Sequence, residues 1–198
     1  MEGATFEQLV QWWSSVEVPK WGESRDTFFS EVACALVRYD ERGVSFLKRY
    51  TRDEDIAKRK AALWFLADKR SIDDEIVEAI SEAFCSGNQD LKTTAIWCYI
   101  NSERFELKEQ TVEQLLRDAD ERMSALAMIY LTRAHPEQRV EILREALASE
   151  NPRMREYACD EVGDFDIEEL KRILAGLVND PHSDVREAAK ENLGLWDE

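Results

Sequence analysis

The stretch NDPHSDVREAAKENLG, residues 179–194, decides the fold, because its pattern recurs along most of the chain. It places a cation at Arg186, an alanine at Ala189 and a larger apolar residue at Leu193. The last two lie four positions apart and therefore share one face of a helix. The same frame, with Ser124 in place of one cation, recurs at steps of 31 to 33 residues. The five frame alanines are Ala62, Ala95, Ala127, Ala158 and Ala189.

Two further columns of residues advance in step with the frame alanines. Apolar residues in the preceding segment predict a first helix, helix A, before each frame helix, helix B. They are Leu47, Ile80, Val112, Leu143 and Leu174, with Phe84, Leu116, Leu147 and Val178 four positions after the last four. Seven positions before each frame alanine stand residues that suit a helix N-cap, except that His182 would need Ser183 as a substitute. This capping column is Asp55, Asn88, Asp120, Asn151 and His182.

These columns predict an all-α fold, a right-handed α-α superhelix of about five two-helix repeats in one domain, residues 1–198. The expected repeats are 41–69, 71–101, 107–134, 135–163 and 166–196. Helix A is expected at 41–50, 73–86, 108–117, 136–149 and 167–179, and helix B at 55–68, 89–101, 121–134, 152–162 and 183–194. Residues 1–38 fit the register poorly, and we expect them to form an N-terminal cap of two helices near 5–16 and 25–38.

The net charge of −16 is unevenly distributed along the chain. Residues 38–70 carry 10 basic and 6 acidic side chains, whereas residues 71–198 carry 14 basic and 30 acidic ones. Most of the surface would therefore repel phosphate backbones, which argues against a nucleic-acid ligand. No apolar run is long enough to span a membrane, and the N-terminus lacks the features of a signal peptide. We expect a cytoplasmic protein, and the sequence makes no prediction of its oligomeric state.

No residue pattern indicates catalysis or a cofactor. The four cysteines are unpaired in spacing, so we expect reduced thiols in the core and no metal site. His135 and His182 have no nucleophile at useful spacing and are expected in solvated turns, and no glycine-rich phosphate loop is present. The sequence therefore predicts a protein that is not an enzyme and holds no cofactor. The cysteines are Cys34, Cys85, Cys98 and Cys159.

The C-terminal repeat resembles a HEAT repeat of the short bacterial kind first described in phycobilisome lyase subunits. The matching positions begin at the turn Asp180-Pro181, continue through Val185-Arg186 and Ala188-Ala189, and end at Leu193-Gly194. The preceding segment NPRMREYACDEVG, residues 151–163, is similar, and upstream copies keep mainly the alanine and apolar columns. The resemblance covers residues 41–196 and implies the fold. For function it implies several classes, among them scaffolds, adaptors, chromophore lyases and some DNA glycosylases.

Helix B carries a candidate binding face. The position two after the frame alanine lies about 200° from it around the helix, and the position two before points in a similar direction. In HEAT-like stacks helix B generally lines the concave surface. We expect a groove that is aromatic and basic at the first repeat and acidic at the last, although packing of the tryptophans between repeats is an equal alternative. The candidate partner-binding residues are Lys60, Trp64, Trp97, Ile129, Glu156, Asp160, Glu187 and Glu191.

Three functions are compatible with this sequence. The first is a non-enzymatic scaffold that binds another protein on the concave helix-B face, with the basic end of the partner at the acidic residues. The second is an immunity or inhibitor protein that neutralises a basic toxin or nuclease. The third is a HEAT-type enzyme or enzyme subunit, such as a chromophore lyase or a DNA glycosylase. The first needs the fewest additional assumptions.

Overall fold

The computed structural model describes residues 1, 3–15, 24–67, 73–102 and 106–195. Within these ranges the regular secondary structure is entirely helical, which confirms the predicted all-α class. The chain forms two compact units, Met1–Phe105 and Glu106–Glu198. No helix among the described residues is long and apolar enough to cross a membrane. The prediction of a single domain stays a prediction.

The first unit contains the two predicted cap helices and two helical pairs. Its helices are α1 Phe6–Ser14, α2 Arg25–Leu36, α3 Asp40–Lys48, α4 Ile56–Ala67, α5 Asp74–Phe84 and α6 Gln89–Asn101. Helix α2 packs against α4, and α4 packs against α6. Trp13 is fully buried and meets the rings of Phe29, Phe46 and Tyr50 edge-on. Its neighbour Trp12 is only partly buried, as expected for consecutive residues on a helix.

The second unit contains three helical pairs. Its helices are α7 Glu109–Leu116, α8 Glu121–Ala134, α9 Arg139–Leu147, α10 Pro152–Asp164, α11 Lys171–Leu177 and α12 Ser183–Asn192. The members of each pair pack together, and α10 packs between α8 and α12. Helices α6 and α8 have the predicted bounds of helix B. The A helices are shorter than predicted, because residues 136–138 form a turn and Glu168–Leu170 form a 3₁₀ turn.

All five frame alanines are fully buried. A methyl group is the smallest side chain that keeps helix propensity high, so an alanine at this position lets a neighbouring helix approach closely. Gly163 extends the same principle in α10, because a Cβ atom there would lie 1.7 Å from Oδ1 of Asn192 on α12. The predicted register is confirmed at each repeat. From the sequence we also expect Trp196 to cover the last repeat, and this residue lies outside the described part of the chain.

Four of the five predicted N-caps are present. The side chains of Asp55, Asn88, Asp120 and Asn151 accept hydrogen bonds from amides in the first turns of their helices. The suggested role of Ser183 is wrong: it is the first residue of α12, and its hydroxyl contacts Asp184 instead. At that turn a carboxylate oxygen of Asp180 accepts the His182 backbone N–H at 2.8 Å. The backbone N–H of His182, just before α12, is therefore bound by a residue of the turn and not by a side chain of the helix.

A polar column two residues before the caps orders the turns, and the sequence analysis missed it. Side chains at these positions accept the backbone N–H of the capping residue at 2.8–3.2 Å. The frame cation Arg155 reaches across to this column, donating to both carboxylate oxygens of Asp180 at 2.8 and 2.9 Å. This pairing holds the pKa of Asp180 below its ordinary value. The column consists of Asp53, Asp118, Ser149 and Asp180.

The cysteines are only partly as predicted. All four are free thiols, and Cys98 and Cys159 are buried. Burial raises the pKa of each of these two thiols to about 12, which keeps them protonated and unreactive. Cys34 is half-buried, and Cys85 is exposed because it is the residue that ends α5. The prediction of four core thiols is wrong for Cys85.

Substitution of Ala158 by glutamate tests the helix register. We expect Ala158→Glu to lower the free energy of unfolding by about 3 kcal/mol, because a carboxylate is forced between packed helices without a partner. Urea denaturation followed by circular dichroism measures the change. The control is Ala175→Glu, since Ala175 is exposed on α11 and should tolerate the charge. Equal midpoints for Ala158→Glu and the parent protein would contradict the register.

Candidate functional site

An aromatic surface lies in the first unit on helices α4 and α6, and we define it by Lys60, Trp64, Thr93 and Trp97. The indole rings of Trp64 and Trp97 meet edge-on, with centroids 6.4 Å apart. Trp64 nevertheless leaves 40% of its surface open, whereas Trp97 is half-buried. The tryptophans pack against each other between α4 and α6, and their role in binding a partner stays a prediction. The rings pack on each other, and one of them remains available to a partner.

The basic character predicted for this surface is largely neutralised. The Nζ atom of Lys60 donates to Oδ2 of Asp26, in the first turn of α2, at 2.8 Å. Arg25 in the same turn pairs with Asp55, the N-cap of α4. Asp26 was not among the predicted site residues, because its position on α2 falls outside the repeat register. The distinguishing feature of this surface is thus an exposed indole and not a free cation.

Ile129 does not belong to a surface. Its side chain is 2% exposed, and Ala125, one turn earlier, is fully buried. The run Met123–Tyr130 is buried on every side, so α8 is not an amphipathic helix. Helices α7, α9 and α10 all pack against it. The prediction of Ile129 as a partner-binding residue is wrong, since the face two positions after the frame alanine is covered in this repeat.

An acidic surface lies in the second unit on helices α10 and α12. We define it by Glu156 and Asp160 on α10 and by Glu187 and Glu191 on α12. Three of these carboxylates interact, because Glu156 and Glu191 both act on the charge of Asp160. Glu187 and Glu191 are exposed. Arg153 borders the surface and binds Glu156 at 2.5 Å and Asp184 at 3.0 Å.

Asp160 is the electrostatic centre of the acidic surface. Burial, together with the nearby charges of Glu156, Glu191 and Asp164, raises the pKa of its carboxyl to about 6. A hydrogen bond from Nδ2 of Asn192, at 3.0 Å, acts in the opposite direction. The residue as a whole is exposed, so water and salt reach the carboxyl and moderate the shift. Near neutral pH the carboxylate of Asp160 is ionised although its surroundings disfavour the charge, and a nearby cation would stabilise it.

Asn192 is a site residue that the sequence analysis missed. It stands three positions after the frame alanine Ala189, and its amide joins Asp160 to the carbonyl of Ala188. The missing side chain of Gly163 leaves the space that Asn192 occupies. The signal was the glycine itself, which follows Val162 at the end of helix B and marks a close approach.

The described residues contain no group of three His, Cys, Asp or Glu side chains placed to hold a metal ion. His135 is exposed, with Nδ1 3.6 Å from a carboxylate oxygen of Glu137. His182 is half-buried, and its Nδ1 makes no hydrogen bond to the described residues. His135 thus occupies the predicted solvated turn, whereas His182 is partly enclosed.

Comparison with known proteins identifies the repeat in the second unit. The family described as HEAT repeats matches residues 109–194. A search of curated protein sequences finds no match. A crystal structure of an engineered protein aligns with 16% identity and a TM-score of 0.45, over 96% of this chain and 95% of the other.

The pKa of Asp160 generates a prediction for stability. We expect Asp160→Asn to raise the free energy of unfolding by about 1 kcal/mol at neutral pH, because two pKa units correspond to about 3 kcal/mol before solvent screening. A raised pKa in the folded protein means that stability falls as pH rises through about 6. The gain should therefore vanish below about pH 4, where the parent is protonated in both states.

Urea denaturation of parent and variant at both pH values measures this difference. Glu187→Gln is the matched control, since it removes one exposed carboxylate from the neighbouring helix and should change stability less. A parent and an Asp160→Asn protein of equal stability at neutral pH would contradict the raised pKa.

Proposed function

We propose that this HEAT-repeat chain is a non-enzymatic interaction module that binds a partner protein through a basic segment. HEAT repeats generally mediate protein–protein interactions. The observation that carries the proposal is the acidic surface, where partial burial and the neighbouring carboxylates raise the pKa of Asp160 to about 6. A lysine or arginine from a partner would favour the charged form and recover that cost. The carboxylates would thus attract a basic segment and favour it over a neutral or acidic one.

The aromatic surface supplies a second kind of contact. Trp64 offers a rigid apolar ring held in place by Trp97, and tryptophans of this kind are common anchors at protein interfaces. Because Lys60 is already paired with Asp26, charge contributes little there. We assign Trp64 to apolar contact and the acidic surface to electrostatic attraction and orientation.

A sharper function within the same class is neutralisation of a basic toxin or nuclease. The observation that favours it is charge: the second unit carries 23 acidic and 12 basic side chains. A strongly acidic inhibitor accelerates its encounter with a basic target and excludes nucleic acid from the same surface. We keep this as the second candidate. No arrangement of described residues supports the lyase or glycosylase alternatives, and we do not propose them.

Charge reversal tests the acidic surface. The chain is used as bait in extracts of its source organism, and a protein that co-purifies stoichiometrically is then produced and titrated by calorimetry. We expect Glu187→Lys/Glu191→Lys to weaken binding at least about tenfold, with an effect that shrinks at high salt. The control Glu145→Lys/Glu150→Lys makes the same change in net charge at exposed positions outside α10 and α12. Equal losses in both double variants would mean that only total charge matters, and no loss would refute the role of this surface.

Removal of the indole tests the aromatic surface. We expect Trp64→Ala to weaken the same partner about tenfold or more, mainly through faster dissociation, because an anchor residue contributes about 2 kcal/mol or more. Its exposure means that folding should be retained, which a thermal melt checks. Leu195→Ala, another exposed apolar residue, is the control. Unchanged affinity of Trp64→Ala would remove the tryptophan from the interface and leave the acidic surface to be judged by its own variants.

A further inference from the structure

The second unit has an open groove on helices that the proposed function does not use. Four residues of α7 line it with the spacing of a single helix face: Glu109, Val112, Glu113 and Leu116. The groove continues over the end of α8 and the start of α9 and has a volume of about 740 Å³. Its remaining lining residues are Glu106, Leu107, Tyr130, Leu131, Ala134, His135, Gln138 and Ile142.

The floor of this groove is apolar and incompletely covered. Leu116 is 38% exposed, although its position in the helix-A column predicts a core residue. Leu131 and Ile142 are half-buried. The hydroxyl of Tyr130 accepts the backbone N–H of Leu107 at 2.9 Å, which fixes the chain that borders the floor. A fixed border around exposed aliphatic side chains is typical of a binding groove and not of a frayed core.

The rim of the groove is acidic. Glu106, Glu109 and Glu113 line it, and none of its lining residues in the described part of the chain is a lysine or arginine. Arg117 approaches Glu113, but only at 3.7 Å and with both side chains largely exposed, so it screens that charge weakly. Carboxylates beside an apolar floor define the chemistry of the ligand: apolar side chains flanked by cations.

The neighbouring groove shows that acidity is not a general property of such hollows. It is lined by Val140, Ile167 and Ala175 together with two acidic and two basic residues. There Lys171 binds Asp166 at 2.7 Å and Glu168 at 2.8 Å, so the charges are locally satisfied. The unbalanced rim is a particular feature of the groove at α7.

We propose that the groove at α7 binds a short basic amphipathic helix of a partner protein. The eight residues of α7 span about 12 Å, which accommodates about two turns of a helix lying along it. Such a helix places apolar residues at i, i+4 and i+7 on the floor and lysines or arginines against the glutamates. This site lies on α7, α8 and α9, whereas the acidic surface lies on α10 and α12, so the two are separable by mutation.

The test uses a synthetic helical peptide of about 14 residues, with leucines at i, i+4 and i+7 and lysines on its flanks. A peptide with glutamate in place of lysine is the comparison. Methyl-labelled protein is titrated by NMR. The basic peptide is expected to shift the methyl signals of Val112, Leu116 and Ile142, and the acidic peptide is not. Shifts confined to α10 and α12, or none at all, would overturn the proposal.

Two variants separate the groove from general attraction to an acidic protein. Leu116→Glu is expected to weaken the basic peptide about tenfold, whereas Leu195→Glu, which adds the same charge at another exposed leucine, is not. Glu106→Lys/Glu113→Lys is expected to reverse the preference in favour of the acidic peptide. Circular dichroism confirms folding, and the double variant still tests the groove if Leu116→Glu fails to fold. Unchanged peptide preference in the double variant would refute the acidic rim as the recognition element.

Discussion

The fold depends on one steric constraint, the small residue at which helix B meets its neighbour. At each of the five frame positions an alanine is fully buried, and no larger side chain would allow the same approach between helices. At Gly163 a methyl group would collide with the side chain of Asn192, so a larger residue would have to displace the amide that binds Asp160. The larger apolar residues of both helices can fill the layer only after this distance is set. The alanine therefore recurs in the sequence because each repeat requires the same short distance between helices.

Hydrogen bonds in the turns stabilise the repeats in addition to the packing of the helices. A turn between antiparallel helices leaves backbone amides and carbonyls without helical partners. An Asp or Ser two residues before four of the five caps accepts one amide. Arg155 and Arg186 donate to the carbonyls of their own turns. Arg155 also binds the carboxylate of Asp180 in the following turn. The same guanidinium therefore links the carbonyls of one turn to the side chain of the next. In the last two repeats this arrangement accounts for the cation three positions before the buried alanine.

The sequence predicts features that depend on one helix and fails where several elements decide together. The B helices were located well because most of their caps are local signals. The A helices were predicted too long, and α7 and α9 among them have no side-chain N-cap. Ile129 was placed on a surface by its angle around α8, yet burial depends on three other helices. Leu116 shows the reverse error, since a regular apolar column predicted burial and the structure leaves it exposed. The clustering of Asp160 with Glu191 was anticipated, but the bridging amide of Asn192 required coordinates.

The candidate recognition residues stand at positions that the frame leaves free. Two positions after the frame alanine the chain carries tryptophan in α4 and α6, a buried isoleucine in α8, aspartate in α10 and glutamate in α12. The frame alanine does not change, so the residue two positions after it can vary in type without disturbing the distance between helices. The charge of Asp160 illustrates the limit of that freedom, because burial and neighbouring carboxylates make its ionisation costly. Under the proposed function, a cation from the partner would relieve that cost on binding.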